Sequence, residues 1–236
     1  MSKRRLITNH RLQDRDYEIL QHVYTYRASI RDVLHRLFFS DSDPNAVTKV
    51  TSRLIEGRFL QKFPLPGNSA YFRLGPAGVR IVGGMRKCVE PLGVQALYTN
   101  LAILGFCFDK HTNRRRMTVS EIQKELPQLI QKQTEPSQYV LDAADGQFRL
   151  TFVRVDGGGT SDHVVRKIRD DIERRLPNAM IASLIHMRQF SISCVTYCDT
   201  KKEDIERRLQ REEFVCAGDI QVVPLLSSIL GTFYNE

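Results

Sequence analysis

The chain of 236 residues carries a formal net charge of +8, and 42% of its residues are hydrophobic. This length favours two domains of roughly 100 residues each, and no apolar run reaches the roughly 18 residues that a membrane-spanning helix needs. Because the first ten residues lack the apolar core of a signal peptide, we expect a cytoplasmic protein with no membrane partner.

The positive charge is concentrated at the front of the sequence. Residues 1–90 hold 16 Lys and Arg against 8 Asp and Glu, whereas residues 91–236 hold 19 of each kind. Clustered cations favour a polyanionic partner, because neutralising phosphates releases counterions. A basic surface that merely keeps the protein soluble is the alternative.

Apolar spacing predicts two helices at the start of the chain. In the first, Ile19, Leu20, Val23 and Tyr26 share one face, and Asp14 is the expected N-cap. The second runs through the segment SIRDVLHRLFF, with Ser29 as the expected N-cap and Asp32 as its capping-box partner.

A third helix is predicted over residues 44–56, with Asp43 as N-cap, Pro44 at its first position and Gly57 as a left-handed C-cap. One face of this helix is apolar. The other carries side chains that suit base edges or phosphates in a major groove, namely Asn45, Thr48, Lys49, Ser52 and Arg53.

Two short strands should follow the third helix. The segments RFLQKFPL and AYFRLG flank a turn containing Pro66, Gly67 and Asn68. Three helices and a hairpin predict a winged helix-turn-helix over residues 1–84, in which the third helix reads bases. Basic residues of the hairpin would then meet phosphates, namely Arg58, Lys62 and Arg73. Protein binding by the same fold is the alternative.

The segments LQDRDYEILQHVYTYRASIRDVLHRLFF, VTSRLIEGRFLQKF and YFRLGPAGVRIV together resemble the amino-terminal part of the replication-relaxation family. These are winged-helix proteins of bacterial plasmids and mobile elements, and the close similarity covers about a third of the chain. The resemblance implies DNA binding, followed by a degenerate domain that is similar to restriction endonucleases.

A helical connector is expected over residues 85–135. The segment VEPLGVQALYTNLAILGFCFD is strongly apolar and must be covered, either between two domains or by a second copy of the chain. We favour a homodimer, because dimers read two-fold symmetric operators. Three consecutive arginines, Arg114, Arg115 and Arg116, would contact phosphate or form a solvated loop.

Alternating strands and helices predict a mixed α/β sheet over residues 136–236, which makes the whole chain α+β. Asp142, Asp156 and Lys167 resemble the carboxylates and lysine of restriction-endonuclease-like sites, where carboxylate oxygens hold Mg²⁺. The resemblance implies an acidic residue at position 154, but Arg154 stands there and would repel the cation. We therefore expect no enzymatic activity, with a metal-dependent nuclease as the alternative and a structural pairing of Asp142 with Lys167 as the simpler interpretation.

No other pattern indicates a cofactor or metal. The five cysteines are odd in number and mostly lie in apolar sequence, which favours buried thiols over disulfides. The six histidines are scattered without metal-ligand spacing. The stretch DGGGTSDH is glycine-rich and precedes a helix N-terminus, where a phosphate could bind, but it lacks the lysine and spacing of a phosphate-binding loop. We therefore interpret it as a tight turn before a helix, with phosphate binding as the alternative.

The sequence thus predicts a sequence-specific protein that binds double-stranded DNA, a transcriptional or replication regulator of a bacterial mobile element or its host. A protein-interaction adaptor built on a winged helix is a further alternative. The second domain would serve oligomerisation, partner binding or ligand sensing.

Overall fold

Residues 12–84, 88–108, 113–129, 138–143, 147–212, 214 and 216–233 are described by a computed structural model, and over these ranges the chain is α+β. It divides into two units, residues 1–92 and residues 93–236. The helices and strands described within residues 93–135 of the predicted connector belong to the second unit. The sequence also predicts a hairpin turn at Asp145–Gly146, between the first two strands of the second domain, and this turn lies outside the described residues.

The first unit contains four helices and three strands within its described residues. In chain order they are α1 (Asp14–Tyr26), β1 (Ser29–Ile30), α2 (Arg31–Phe38), α3 (Asn45–Glu56), β2 (Leu60–Pro64), β3 (Ala70–Leu74) and α4 (Pro76–Val82). The strands form an antiparallel sheet in the order β1-β3-β2, so β3 is the central strand.

One apolar core joins the helices of the first unit to its sheet. Ile19 and Leu20 of α1 and Leu54 of α3 are fully or almost fully buried, together with Leu60 and Leu74 of the sheet. The predicted helical faces account for this core, because residues three and four apart on a helix point to the same side.

The ends of these helices differ in detail from the predicted caps. Asp14 is the first residue of α1, and Ser29 belongs to β1 rather than capping α2. Helix α3 begins at Asn45, whose amide donates to the Asp43 carboxylate at 2.7 Å. Gly57 has φ −72° and is not left-handed, whereas Arg58 after it has φ +61°.

The second unit contains six helices and five strands within its described residues. They are α5 (Val94–Phe108), β4 (Arg114–Arg116), α6 (Val119–Glu125), β5 (Tyr139–Asp142), β6 (Arg149–Val155), α7 (Ser161–Arg175), α8 (Ala179–His186), β7 (Phe190–Thr196), α9 (Asp199–Leu209), β8 (Ala217–Val222) and α10 (Leu225–Phe233). The strands form a mixed sheet in the order β4-β5-β6-β7-β8, antiparallel for the first two pairs and parallel for the last two.

Helices cover both faces of this sheet. Phe152 and Ile192 pack on one face against α7, α8 and α9, through Ile168, Ile181 and Ile205. Helix α5 packs against β4, β6 and β7 on the other face, and its side chains Leu101, Ala102 and Ile103 are fully buried. Because the apolar surface of α5 is covered within one chain, it no longer supports the homodimer that its sequence favoured.

Candidate nucleic-acid interface

The polar face of α3 is exposed as the sequence predicts. Asn45, Thr48, Lys49 and Ser52 are exposed, while Val47 and Leu54 on the opposite side are buried. The exposed residues lie three or four positions apart and so form one row along the helix. The row offers amide, hydroxyl and ammonium groups to a partner.

Arg31, at the start of α2, extends this row and was not among the predicted contacts. Its Nε donates to Thr48 Oγ1 at 3.3 Å, and its Nη2 donates to the Pro44 carbonyl at 2.6 Å. About half of its side chain, 46%, is exposed. Sequence reasoning missed Arg31 because only the packing of α2 on α3 brings it beside Thr48.

Arg58 and Lys62 lie at the other end of α3. Both are exposed, and both line a groove of about 350 Å³ whose other walls include Ile55 of α3. The left-handed backbone of Arg58 turns the chain from α3 into β2. These two cations therefore adjoin the third helix.

Arg53 does not belong to the exposed row. Its Nη2 donates to both carboxylate oxygens of Asp16 on α1, at 2.7 and 2.8 Å, and Asp16 is only 1% exposed. The predicted base-reading role is corrected on this geometry, because a guanidinium bound to a buried carboxylate holds α3 against α1.

Arg73 is likewise removed from the predicted phosphate contacts. Its side chain is 2% exposed, and its Nε donates to the Arg27 carbonyl at 3.1 Å. Burial and then the neighbouring Arg27 charge lower the pKa of Arg73 from its ordinary value. The prediction failed because β3 is the central strand, where Tyr71 and Phe72 are buried as well.

The three residues of the nuclease alternative do not form one site. Asp142 pairs with Arg149 at the first residue of β6, whereas Asp156 follows the last residue of that strand. Seven residues of strand separate the two positions by roughly 23 Å. Lys167 lies on the Asp156 side, 3.9 Å from Asp170, so the simpler pairing of Asp142 with Lys167 is wrong as well.

Arg154 has a structural partner in this unit. Its Nε donates to Asp171 Oδ2 at 2.6 Å, and Asp171 also accepts from Arg175 at 3.0 Å. Asp171 is completely buried, so the arginines compensate its charge. Arg154 therefore forms an ion pair with Asp171 that links β6 to α7.

The predicted arginine triplet is not a solvated loop. It forms the edge strand β4, in which Arg114 pairs with Asp142 at 2.9 Å and with Asp219 of β8 at 3.1 Å. Arg115 pairs with Glu121, and the fully buried Arg116 donates to Asn100 of α5 at 2.7 Å.

All five cysteines are free thiols, and Cys107, Cys194 and Cys216 are buried. Burial raises the pKa of Cys194, and it raises the pKa of Cys216 to about 11. These thiols are therefore protonated near neutral pH, a state that disfavours nucleophilic attack and metal binding. Within the described ranges, no three His, Cys, Asp or Glu side chains converge as metal ligands.

The stretch DGGGTSDH is a turn leading into α7, as predicted. The amide of Gly158 donates to Asp156 Oδ1 at 3.0 Å, and Gly158 has φ +93°. Thr160 caps α7 by accepting from the His163 amide at 3.2 Å.

None of the helices in the described part of the chain is long and apolar enough to cross a bilayer. Comparisons of the chain with protein-family models, with curated proteins and with solved structures gave no match.

Proposed function

We propose that the first unit binds double-stranded DNA. The observation that carries this proposal is the exposed row of Asn45, Thr48, Lys49 and Ser52 on α3, flanked by cations at both of its ends. Arg31 lies beside Thr48 at one end, and Arg58 and Lys62 share a groove with Ile55 at the other.

The order of elements supports the same proposal. Helices α1, α2 and α3 are followed by the β2-β3 hairpin, and β1 pairs with β3. This order is the one expected of a winged helix, a DNA-binding fold whose third helix enters the major groove. In this arrangement α3 reads base edges, and Arg31, Arg58 and Lys62 bind phosphates.

The proposed role is that of a cytoplasmic regulator of transcription or replication, in a mobile element or its bacterial host. The assignment to a mobile element or its host rests on the proposed resemblance to the replication-relaxation family. A homodimer remains a proposal that rests only on the usual two-fold symmetry of operators. We assign no catalytic role to the second unit, because Asp142 lies beside the first residue of β6 and Asp156 follows the last residue of that strand.

The proposal is tested by fluorescence anisotropy of the full chain with labelled duplex of random sequence over a range of salt concentrations. The logarithm of the association constant should fall linearly with the logarithm of the salt concentration. The Lys62→Ala variant should weaken binding to all duplexes alike and lower the salt slope by about one. Lys124→Ala, an exposed lysine of α6, is the matched control and should leave both quantities unchanged.

Two kinds of result would favour the alternatives. Salt-insensitive binding, or none at all, would instead support the protein-interaction adaptor. Cleavage of the duplex in Mg²⁺ or Mn²⁺, lost in Asp156→Ala, would support the nuclease.

Selection of bound fragments from a genomic pool should yield a shared sequence, and Ser52→Ala should relax the preference at one or two of its positions.

A further inference from the structure

A pocket of about 470 Å³ opens in the second unit at the carboxyl end of β6. Its walls come from the first turns of α5, from the glycine-rich loop at 157–159 and from α7. Pockets of this volume suit small molecules rather than single ions. The proposed DNA-binding surface lies in the other unit, so this pocket is unassigned.

The pocket is lined by two cationic side chains and an imidazole. Lys167 and His163 of α7 line it, together with Arg154 at the end of β6. Lys167 is 45% exposed and, among the described residues, has only a loose ion pair with Asp170, at 3.9 Å, so its ammonium is accessible to a ligand. Arg154 is held in place by Asp171 and keeps 24% of its side chain exposed.

The carboxylate in the pocket wall, Asp156, is directed into the protein. It is 1% exposed, and its two oxygens accept from the Gly158 amide and from Thr196 Oγ1, each at 3.0 Å. Lys201 donates to the Gly159 carbonyl and so adds a further cation beside the loop. The carboxylate oxygens of Asp156 are therefore occupied, and the charged lining residues that keep exposed surface are Lys167 and Arg154.

We propose that this pocket binds a small phosphorylated ligand of nucleotide size, with Lys167 and Arg154 on its phosphate group. Ammonium and guanidinium groups are the usual protein partners of phosphate oxygens, and the volume leaves space for a nucleoside. The inference does not depend on DNA binding by the first unit.

The test is isothermal titration calorimetry of the full chain with adenosine 5′-monophosphate, inorganic phosphate and adenosine, at constant ionic strength. Adenosine 5′-monophosphate should bind saturably. Lys167→Ala should weaken it about 10-fold, and Lys167→Glu should weaken it further, because a charge-assisted hydrogen bond is lost. Lys202→Ala and Lys202→Glu are the matched controls, since Lys202 is a partly exposed helical lysine paired with Glu206 outside the pocket.

Competition by inorganic phosphate would support recognition of the phosphate group. Equal binding of adenosine, or no saturable heat with any of the three probes, would overturn the proposal. The proposal would also be overturned if both Lys167 variants unfolded at the wild-type temperature and bound adenosine 5′-monophosphate with unchanged affinity. A Lys167 effect on duplex binding alone would also overturn it, whereas loss of duplex binding in Lys62→Ala bears only on the first unit.

Discussion

Arg53 shows how a side chain on the polar face of a helix can be structural. Its guanidinium reaches across to Asp16, whose carboxylate also accepts from the Gln13 amide at 2.8 Å. The sequence separates Arg53 from Asp16 by 37 residues, and helical periodicity cannot predict a partner at that distance. The exposed neighbours of Arg53 are therefore better candidates for contacting a ligand.

Replacing Arg53 by alanine should destabilise the protein. The buried Asp16 carboxylate would lose its charged partner, which should cost about 1–3 kcal/mol of unfolding free energy. Urea denaturation measures this cost. Lys49→Ala, an exposed position on the same helix, is the control and should change stability by less than about 0.5 kcal/mol.

An Arg53→Ala variant that is as stable as the wild type, but has lost its base preference, would contradict the structural role. It would restore Arg53 to the base-reading residues.

His22 is a buried histidine in the core of the first unit. Its Nε2 lies 2.9 Å from Ser29 Oγ, and its ring contacts Tyr26 and Phe38. Burial lowers the pKa of His22 from 6.5 to about 3, since a charged imidazolium would be desolvated.

Stability should therefore fall as pH decreases from about 6.5 to about 3. In this range the unfolded chain binds a proton at His22 that the folded chain does not. The free energy of unfolding should therefore decrease by up to about 1.4 kcal/mol for each pH unit of acidification. Urea denaturation across this range measures the slope. A His22→Gln variant should show a shallower slope than the wild type, and equal slopes would mean that other groups dominate acid unfolding.

At the scale of elements, the third helix was predictable and the roles of some of its residues were not. Regular apolar spacing places Val47 and Leu54 on one side, so the exposed row on α3 follows from the sequence. Arg73 was misassigned because β1, a strand of two residues, was not predicted. Its pairing makes β3 central and buries Arg73.

Helix α4 approaches the turn after α3 closely. A Cβ atom added to Gly78 would lie 2.2 Å from the backbone oxygen of Phe59. Such contact is forbidden between non-bonded atoms, so a glycine at position 78 allows α4 to pack on the start of the hairpin.

Gly78→Ala should destabilise the protein even though alanine is the better helix former. A clash of this kind typically costs about 1–3 kcal/mol, and one with rigid backbone belongs at the upper end of that range. The gain in helix propensity is only about 1 kcal/mol, so the net effect should be destabilising. Thermal or urea unfolding measures the net effect. Gly93→Ala, where an added Cβ meets no atom within 4 Å, is the control and should cost less than about 1 kcal/mol, the cost of alanine at the N-cap of α5.

For the whole molecule, the distribution of charge predicts which part binds duplex DNA. A fragment of residues 1–92 should retain the salt-dependent binding of the full chain, whereas residues 93–236 should not. Anisotropy titrations measure this, after circular dichroism has established that each fragment is folded. Binding by the second fragment alone would contradict the assignment of the interface to the first unit.

The mixed sheet of the second unit was predictable from alternating strands and helices, but the contacts within it were not. Asp142 and Asp156 both end predicted strands, but the predicted hairpin turn between those strands makes them antiparallel and places the two carboxylates far apart. The predicted constellation failed because it overlooked this consequence of the turn. The pocket beside Lys167 depends on how α5 and α7 pack around the end of β6, which one sequence does not reveal.

Arg114 connects the two outermost strands of the five-stranded sheet. It lies on β4, yet its guanidinium donates to Asp219 of β8 at 3.1 Å and to Gln221 of the same strand at 2.7 Å. In a flat sheet those strands would be roughly 19 Å apart, too far for the two side chains to meet. The sheet must therefore be strongly curved around α5, and the ion pair between Arg114 and Asp219 links its two edge strands.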